Sequence, residues 1–448
     1  DITGGMKLKY LAQSFLPGTW LANLQAPKSR SGLPESEEVA TIIFSSGSTG
    51  TPKGVMLTHS NILSNVQSVL QVIALGPGDA VLGILPFFHS FGYTITLWAT
   101  LLSGSRAVYH ANPLEAKVIG EMCGEHKVTI TIATPTFYQS YLRRCKPEQF
   151  ASIRVALSGA QKLSQGLSDA WQAKFGSRLM EGYGCTELSP VVSANLPSPE
   201  GAPRRARSNK AGSIGRPLPG VAVRVVDQDQ YPGEVVERCS GDEGLIIVKG
   251  PSVMKGYLGM PDKSNEVLND GWYNTGDIGY LDEDGFLFIT DRISRFSKVG
   301  GEMVPHGRVE ETLLDLAYEL ERTCSTASPA DDDESAAPEI AVTAVSDEKR
   351  GEQLVVLYAG LSFDHRELQS RLAESSLPNL FQPKPNAWFE VGEVPKLGTG
   401  KVDLCGLKVL AEAVSAASKD EARKPFTLAA VEAARAAALS GARVMLME

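Results

Sequence analysis

The residues with the clearest chemical potential in this 448-residue chain lie in the stretch SSGSTGTPKG, Ser45 to Gly54. Glycines let a backbone approach a phosphate closely, hydroxyl and N–H groups donate hydrogen bonds to it, and Lys53 supplies positive charge. The stretch is not a Walker A loop, because that motif ends in Gly-Lys-Ser/Thr and Lys53 here lies between Pro52 and Gly54. These residue types therefore predict a phosphate-binding loop of a different kind.

Four further stretches carry residues that can bind or react. LMEGYGCTELSPV is predicted to hold Tyr183 and Glu187 on a glycine-broken loop after a strand, and GWYNTGDIGYLDEDG to hold Asp277 in a tight turn. Arg292 lies in ITDRISRFSKVGGEMV at a transition between domains, and Lys401 lies in a second glycine-rich loop, EVPKLGTGKVDL. Each stretch alone is also typical of an ordinary turn or a solvated loop. Their joint order along the chain is the specific signal.

The segments around these motifs alternate between short β-rich runs and helical periodicity. EVATIIFSS, VTITIATPTF and SIRVALSGA are typical of strands, and HSNILSNVQSVLQVIA has helical spacing. Such alternation predicts a largely parallel sheet with helices on its faces. Between Gly212 and Asp291, short strands separated by Gly, Pro and Asp turns predict an antiparallel, barrel-like region.

Composition narrows the class of protein. Apolar residues make up 43% and charged residues 21% of the chain, as in soluble globular proteins, and the net charge of −9 disfavours nucleic acid as a partner. The six cysteines form no CxxC pair, which favours a reduced, cytoplasmic compartment over a disulfide framework or a zinc site. No signal peptide and no apolar run long enough to span a bilayer is evident.

The order from SSGSTGTPKG through YGCTE, YNTGD and DRISRFSKVGGEMV to PKLGTGK resembles the adenylate-forming superfamily of acyl-CoA ligases, adenylation domains and luciferases. The resemblance covers about Ala40 to Leu410. Within the superfamily, LPFFHSFG, RISRFSKVGGEMV and LGTGKVDLCGLK look most like the acyl-acyl-carrier-protein synthetase half of the bacterial bifunctional 2-acylglycerophosphoethanolamine acyltransferase.

The resemblance implies an α/β protein of two domains. A large N-terminal αβ-layered domain would span 1–291, with its barrel-like β region at about 212–291, and a hinge would lie at 292–294. A small, mobile α+β C-terminal domain with the lysine loop would span 295–410, followed by a helical tail of unknown role at 411–448. Only 44 residues precede Ser45, whereas superfamily members normally carry a much longer segment there, so the N-terminal domain is expected to be truncated.

The activity that the resemblance implies is a two-step, AMP-forming ligation. A carboxylate attacks the α-phosphate of ATP, pyrophosphate leaves, and a phosphopantetheine thiol then attacks the acyl-adenylate and releases AMP. The acid would be a long-chain fatty acid, and the thiol would belong to an acyl carrier protein in preference to CoA. Three alternatives stay open: a long-chain acyl-CoA synthetase, an adenylation module for another acid, and an inactive nucleotide-binding remnant.

The superfamily's nucleotide-binding residues carry over by position. Tyr183 would stack on adenine, and Asp277 would accept hydrogen bonds from the ribose hydroxyls with support from Arg292. Glu187 and Thr49 would ligate Mg²⁺. The residues implied around the phosphates and along the nucleotide are Ser45, Ser46, Gly47, Ser48, Thr49, Gly50, Lys53, Gly184 and Thr186.

Other positions would serve catalysis and domain motion. Lys401 would reach the α-phosphate and carboxylate oxygens in the adenylation transition state, and His89 would lie at the mouth of the acyl pocket, where a buried structural histidine is the alternative. Ser294 would be the hinge, where the superfamily usually has Asp or Lys, and Gly300 and Gly301 would line the pantetheine tunnel.

A basic segment, APRRARSNKAGSIGR, stands out in this acidic chain. We expect it to dock an acidic carrier protein or, peripherally, the inner face of a bacterial membrane, and a solvated loop is the alternative. Its basic residues are Arg204, Arg205, Arg207, Lys210 and Arg216.

Overall fold

The computed structural model describes residues 35–45, 52–198, 207–292, 295–300, 302–324, 338–347, 351–396 and 401–420. The α-helices in these ranges are α1 (His59–Val72), α2 (Thr100–Ser103), α3 (Ala116–Glu125), α4 (Pro135–Arg144), α5 (Gln165–Phe175), α6 (Pro261–Val267), α7 (His306–Cys324), α8 (His365–Glu374) and α9 (Leu404–Asp420). A π-helix spans Gly92–Ala99, and a 3₁₀ turn spans Thr186–Leu188. No helix of the described ranges has the length and apolar content needed to cross a bilayer.

The strands of the large domain, which we define as the described residues up to Arg292, are β1 (Val39–Ser45), β2 (Lys53–Thr58), β3 (Ala80–Gly83), β4 (Arg106–Tyr109), β5 (Ile130–Ala133), β6 (Val155–Ser158), β7 (Leu179–Gly184), β8 (Val191–Ala194), β9 (Arg216–Pro217), β10 (Ala222–Val226), β11 (Gly244–Lys249), β12 (Gly256–Tyr257), β13 (Leu268–Asn269), β14 (Trp272–Leu281) and β15 (Leu287–Arg292). Those of the small domain, which follows, are β16 (Phe296–Val299), β17 (Glu302–Pro305), β18 (Glu339–Asp347), β19 (Gly351–Ala359) and β20 (Trp388–Glu390).

The central sheet has the order β4-β3-β5-β6-β7-β8-β9, and the pairs from β4 to β7 are parallel. Strands β3, β5 and β6 are buried at every position, as expected for parallel strands that helices cover on both faces. One core joins them to apolar residues of α1, α3, α4 and α5. The predicted parallel sheet is therefore confirmed, and its carboxyl edge is where ligands of such sheets bind.

Local sequence explains how the helices begin. Thr58 and Asn61 form a reciprocal capping box at the start of α1, and α4 begins at Pro135, whose missing N–H is tolerated in the first turn. The Ser164 side chain accepts from the Leu167 N–H at the start of α5. These caps fix the helix starts that follow β2, β5 and β6.

Antiparallel sheets make up the rest of the large domain. One has the order β10-β11-β14-β13 with β15 paired to β14, and a smaller one has the order β1-β2-β12. The antiparallel region predicted between Gly212 and Asp291 is thereby confirmed. Asp277 lies within β14 and not in a tight turn. Gly276, at a φ of +70°, provides a left-handed residue between Asn274 and Ile278, where the pairing of β14 with β11 is irregular.

Tyr183 likewise lies within β7 and not on a loop after it. The glycines that suggested a loop are needed because β8 returns very close to β7: a Cβ at Gly184 would overlap the carbonyl oxygen of Pro190. Glu187 lies one residue into the 3₁₀ turn that joins the two strands. Gly184 thus permits close backbone contact within a sheet, whereas Gly276 supplies a left-handed backbone conformation.

The small domain is built on a sheet of order β17-β16-β19-β18, with β20 parallel to β19. Helices α7 and α8 cover one face of this sheet, and α9 covers the other. Leu410, Ala411 and Val414 of α9 are buried in that second core, so the predicted boundary at 410 falls inside a helix of the small domain. The tail after Asp420 lies outside the described residues.

Candidate active site

One cavity of about 1110 Å³ lies at the carboxyl edge of the central sheet, between β14, β15 and the small domain. Residues from five separate sequence motifs line it, although these motifs are up to 356 positions apart in the chain, from Ser45 to Lys401. The predicted site residues that line it are Ser45, Lys53, His89, Tyr183, Gly184, Thr186, Glu187, Asp277, Arg292 and Lys401. The fold therefore brings these predicted residues together.

Several predicted residues cannot be placed in this way. Ser46, Gly47, Ser48, Thr49, Gly50, Ser294 and Gly301 lie outside the described residues. Gly300 is described, but it is not part of the wall that the described residues form around the cavity. It lies in a turn with a φ of +60°, next to Leu380.

The carboxylate of Asp277 is the most tightly held group in the site. Its side chain is 2% exposed, the Tyr183 hydroxyl donates to its Oδ2, and Arg292 donates from Nε to its Oδ1 at 2.5 Å and from Nη2 to Oδ2 at 3.4 Å. The Asp277 charge raises the pKa of Arg292, and burial raises the pKa of Tyr183. This network fixes the carboxylate, and its remaining lone pairs can accept further hydrogen bonds.

A second polar group surrounds Glu187. The Tyr257 hydroxyl donates to Glu187 Oε1 at 3.0 Å, and Lys53 Nζ lies 5.1 Å from the centroid of the Tyr257 ring, within the range of a cation–π contact. Ser45 pairs with Lys53 across β1 and β2, and among the described residues its buried Oγ has no hydrogen-bond partner. Ser45 and Lys53, from the predicted phosphate-binding stretch, thus both line the cavity.

Lys401 reaches the same cavity from the small domain. Burial lowers the pKa of Lys401, and the positive charge of Arg292 lowers it further, whereas Cys185, Glu187 and Asp277 act in the opposite direction. Burial, and then the charge of Lys401, lower the pKa of His89 to about 4, so His89 is neutral near pH 7. A lysine ammonium, a guanidinium and two carboxylates therefore converge on one cavity.

Part of the cavity wall is apolar, and we call this part the apolar lobe. Its walls come from α1, the segment leading into the π-helix, the π-helix itself and β6. We define the lobe by six residues that line the cavity and pack in the same core: Val69, Val72, Ile73, Phe91, Ile95 and Leu157.

Sequence reasoning missed three polar residues of the cavity. Tyr257 and Cys185 gave no signal of their own, and burial raises the pKa of the Cys185 thiol well above its usual value. Burial also raises the pKa of Glu181 to about 7, and its Oε1 accepts from the Leu163 N–H at 3.0 Å. A glutamate directly before GYG in a strand could have been flagged, because a charged residue in a buried strand is uncommon.

The basic segment is less available than its sequence predicts. Lys210 pairs with Asp282 and, at 3.3 Å, with Asp284. Arg216 donates to the Asp284 carbonyl at 2.9 Å, and its guanidinium lies 4.4 Å from the Phe286 ring. These two residues stabilise the large domain, whereas Arg204 and Arg205 lie outside the described residues.

Comparison with protein families decides the broad assignment. A model of the AMP-binding enzyme family matches residues 7–258, more than half of the chain. The chain belongs to the AMP-binding enzyme family. Enzymes of this family use ATP, and the predicted superfamily is thereby confirmed.

Relatives of this AMP-binding enzyme include acid–CoA ligases. The long-chain-fatty-acid–CoA ligase of Bacillus subtilis (strain 168) is 35% identical over 379 residues, which cover 82% of this chain and 60% of the relative. Probable 4-coumarate–CoA ligase 1 of Dictyostelium discoideum is 36% identical over 285 residues, which cover 62% of this chain and 49% of the relative. The chain spans about half to three fifths of the length of these curated relatives.

Solved structures confirm the predicted fold class. ATP-bound MatB from Rhodopseudomonas palustris has a TM-score of 0.69 at 27% identity, covering 87% of this chain and 71% of that one. The o-succinylbenzoate CoA synthetase MenE of Bacillus subtilis, in complex with its acyl-adenylate intermediate OSB-AMP, has a TM-score of 0.67 at 26% identity, covering 88% and 71%. The family member described here shares their mixed α/β fold, with a large N-terminal and a smaller C-terminal domain.

Proposed function

We propose that this protein is an AMP-forming acid–thiol ligase that activates a long-chain fatty acid as its acyl-adenylate. The observation that carries the proposal is the convergence of Lys401, Asp277, Arg292 and Glu187 on a cavity that continues into the apolar lobe. Charged groups are suited to the nucleotide and to the transition state, and an uncharged lobe is suited to an alkyl chain. One cavity thus offers the two environments that an acyl-adenylate needs.

Nucleotide binding is assigned to the large domain. Asp277, held by Tyr183 and Arg292, accepts hydrogen bonds from the ribose hydroxyls, and the Tyr183 ring stacks on adenine. Gly184 and Thr186 flank the nucleotide, and the Ser90 hydroxyl donates to Thr186 Oγ1 at 3.3 Å. The Oγ of Ser45, which lacks a described partner, and the ammonium of Lys53 donate to the β- and γ-phosphates together with Ser46 to Gly50.

Adenylation is assigned to Lys401. Negative charge develops on the α-phosphate and the attacking carboxylate, and an ammonium that is already in place stabilises it without reorganisation. Such preorganised electrostatic groups are commonly worth ~10²–10³ in rate, or about 3–4 kcal/mol. The buried position of Lys401 strengthens this interaction, because water screens it less there.

A magnesium ion fits the same arrangement. Glu187 offers carboxylate oxygen at the cavity, and Mg²⁺ is typically bound by one or two carboxylates together with substrate phosphates. The absence of any cluster of three or more His, Cys, Asp or Glu side chains suited to a metal, within the described ranges, agrees with such a sparse protein ligand set. Bound there, with Thr49 as a second proposed ligand, Mg²⁺ would neutralise phosphate charge.

The acid is assigned from the lobe. The six side chains that define it are suited to contact with an alkyl chain, and His89 is neutral near pH 7. The Bacillus subtilis relative is a long-chain-fatty-acid–CoA ligase by name, which supports a long-chain fatty acid. ATP and a carrier thiol as co-substrates support a cytoplasmic protein, and peripheral contact of the basic segment with a membrane surface belongs to the same proposal.

The thiol acceptor has two candidates. We favour an acyl carrier protein because LPFFHSFG, RISRFSKVGGEMV and LGTGKVDLCGLK resemble the acyl-carrier-protein synthetase half named above. CoA is the second candidate, because the relatives are named as CoA ligases. For either thiol, Lys401 leaves the cavity after adenylation as the small domain turns about Ser294, and the thiol enters past Gly300 and Gly301.

ATP–pyrophosphate exchange tests the proposal most directly. The chain is assayed with fatty acids of increasing length, with acetate and benzoate, and with several amino acids, followed by transfer to CoA and to acyl carrier protein. We expect exchange that depends on long-chain acids. Exchange with amino acids would indicate an adenylation module, and nucleotide binding without exchange by a folded sample would indicate an inactive remnant.

A further inference from the structure

Tyr257 lies at a junction in the cavity wall between segments that are distant in the chain. The residue is 4% exposed and pairs with Val55 where β12 joins β2. Its N–H donates to Ser264 Oγ at 2.8 Å, and Ser264 lies within α6. The backbone of Tyr257 is therefore held by a strand on one side and by a helix on the other.

The hydroxyl and the ring face of Tyr257 contact groups of opposite charge. The hydroxyl donates to Glu187 Oε1 at 3.0 Å, and Lys53 Nζ lies 5.1 Å from the ring centroid. An ammonium within about 6 Å of an aromatic centroid is attracted to the negative face of the ring. One rigid side chain thus touches a carboxylate with its hydroxyl and an ammonium with its face.

A second buried phenol supports the first. Tyr273, in β14, is 6% exposed and donates a hydrogen bond to the Tyr257 hydroxyl, so two phenols in series lead to Glu187. Burial, and then the charge of Glu187, raise the pKa of both phenols, so both remain protonated donors near pH 7. Hydrogen bonds in such a buried series polarise and strengthen one another.

The same segment of chain holds Glu187 by its backbone as well. The N–H of Met254, three residues before Tyr257, donates to the Glu187 carbonyl at 2.8 Å. The bond from Tyr257 limits rotation of the carboxylate and engages Oε1, which leaves the lone pairs of Oε2 for a cation. The orientation of Glu187 therefore depends on Tyr257.

We propose that Tyr257 is a positioning residue that couples Glu187, the proposed cation ligand, to the phosphate-binding Lys53, with Tyr273 holding Tyr257 in place. This inference rests on the proposed function, which assigns Glu187 and Lys53 to the cation and the phosphates of ATP. Because both charged groups contact one side chain, their relative position is set before the nucleotide binds. Such preorganisation raises affinity because less ordering is needed on binding.

Removal of the hydroxyl tests the coupling to Glu187. The measurement is the calorimetric dissociation constant of ATP in EDTA divided by that in excess MgCl₂, which gives the gain in affinity that Mg²⁺ provides. Tyr257→Phe keeps the ring and removes the donor, and loss of a partner that orients a metal ligand commonly costs about 10-fold or more in metal affinity. We expect the ratio to fall severalfold, by up to about 10-fold, with the affinity in EDTA unchanged.

Further substitutions separate the contacts. Tyr257→Leu also removes the ring face from Lys53, so the ATP affinity in EDTA should fall roughly two- to fivefold as well. Tyr273→Phe keeps both contacts of Tyr257 and should lower the ratio by about threefold, because a hydrogen bond between neutral groups is worth less than one to a carboxylate. Tyr280→Phe is the matched control: Tyr280 lies on β14, stacks on Phe288 at 4.8 Å, and is outside the wall that the described residues form around the cavity.

The outcomes distinguish positioning from a purely structural role. If Tyr257→Phe lowers ATP affinity by one factor in EDTA and in MgCl₂, or if its ratio matches that of Tyr280→Phe, the inference is wrong. An unaltered chain whose ATP affinity is independent of MgCl₂ would overturn it too. Thermal unfolding of each variant verifies that it is folded.

Pyrophosphate exchange is scored separately from nucleotide binding. A chain that exchanges with no acid, yet shows the Mg²⁺-dependent gain and its loss in Tyr257→Phe, would contradict the proposed function and retain the inference. A chain that exchanges with long-chain acids and shows no specific effect of Tyr257→Phe would retain the function alone.

Discussion

The two domains contribute to the cavity in physically different ways. In the large domain, Asp277 is 2% exposed and engaged by both Tyr183 and Arg292, so its position is fixed by a buried network. The small domain contributes Lys401, from the segment just before α9, and it meets the large domain through contacts that are partly open to solvent. They include Lys162 to Glu311 at 2.6 Å, Arg143 to Glu321 at 3.4 Å, and Gln139 to Tyr318 at 2.6 Å. The Gly307 N–H of the small domain also donates to the buried Asp291 at 3.0 Å.

This difference matches the demands of two reactions at one cavity. Breaking a buried ion pair by removing one partner costs about 3–5 kcal/mol, whereas an exposed pair contributes about 0.2–1 kcal/mol. The large-domain part of the site is thus held in one arrangement, whereas each exposed pair between the domains contributes little. The comparison predicts that substitutions in the large domain and at the domain contact differ in their effects on the adenylation rate, the KM for ATP and the unfolding temperature.

The largest effect is expected for Lys401→Ala. Loss of the ammonium should lower the rate of adenylation by roughly 10²-fold or more, because charge developing in the transition state loses its stabilising group. Conversion of supplied acyl-adenylate to thioester should be retained, and the two half-reactions are measured separately. Equal loss in both would contradict a lysine that serves only the first step.

Asp277→Ala is expected to have the next largest effect. Hydrogen bonds to charged groups are worth about 1.5–3 kcal/mol, so the KM for ATP should rise roughly 10- to 100-fold. The unfolding temperature should fall as well, because Arg292 and Tyr183 lose their acceptor. Asp277→Asn retains one acceptor oxygen, so its KM for ATP and its unfolding temperature should lie between those of the unaltered chain and those of Asp277→Ala. An unchanged unfolding temperature of Asp277→Ala would show that the buried network does not stabilise the large-domain part of the site.

The smallest effect is expected for Lys162→Ala at the domain contact. The pair with Glu311 is partly exposed, so its loss should lower adenylation by at most about fivefold, with less sensitivity to salt than the unaltered chain shows. Nucleotide affinity and unfolding temperature should stay constant. The control is Lys117→Ala, an exposed lysine on α3 away from the small domain. A large loss of ATP affinity in Lys162→Ala would contradict the distinction between the contributions of the two domains.

Much of the fold and of the candidate site could be predicted from the sequence, and the wrong predictions share one cause. The parallel sheet followed from short buried runs alternating with helical segments, and the motifs pointed to Asp277, Arg292, Glu187 and Lys401. The backbone at Tyr183 and Asp277 was predicted as loop and turn because neighbouring glycines usually indicate turns, whereas here they allow close strand pairing and a bulge. Local sequence does not record such long-range contacts.

The sequence by itself determined which residues can do chemistry, because residue type and the order of motifs are local properties that need no coordinates. Only the tertiary structure decided that Lys401 stands beside Arg292, that the basic residues Lys210 and Arg216 are engaged within the large domain, and that a π-helix forms a wall of the apolar lobe. The physical reason is that burial, pairing of charges and the shape of a cavity arise when distant segments pack together.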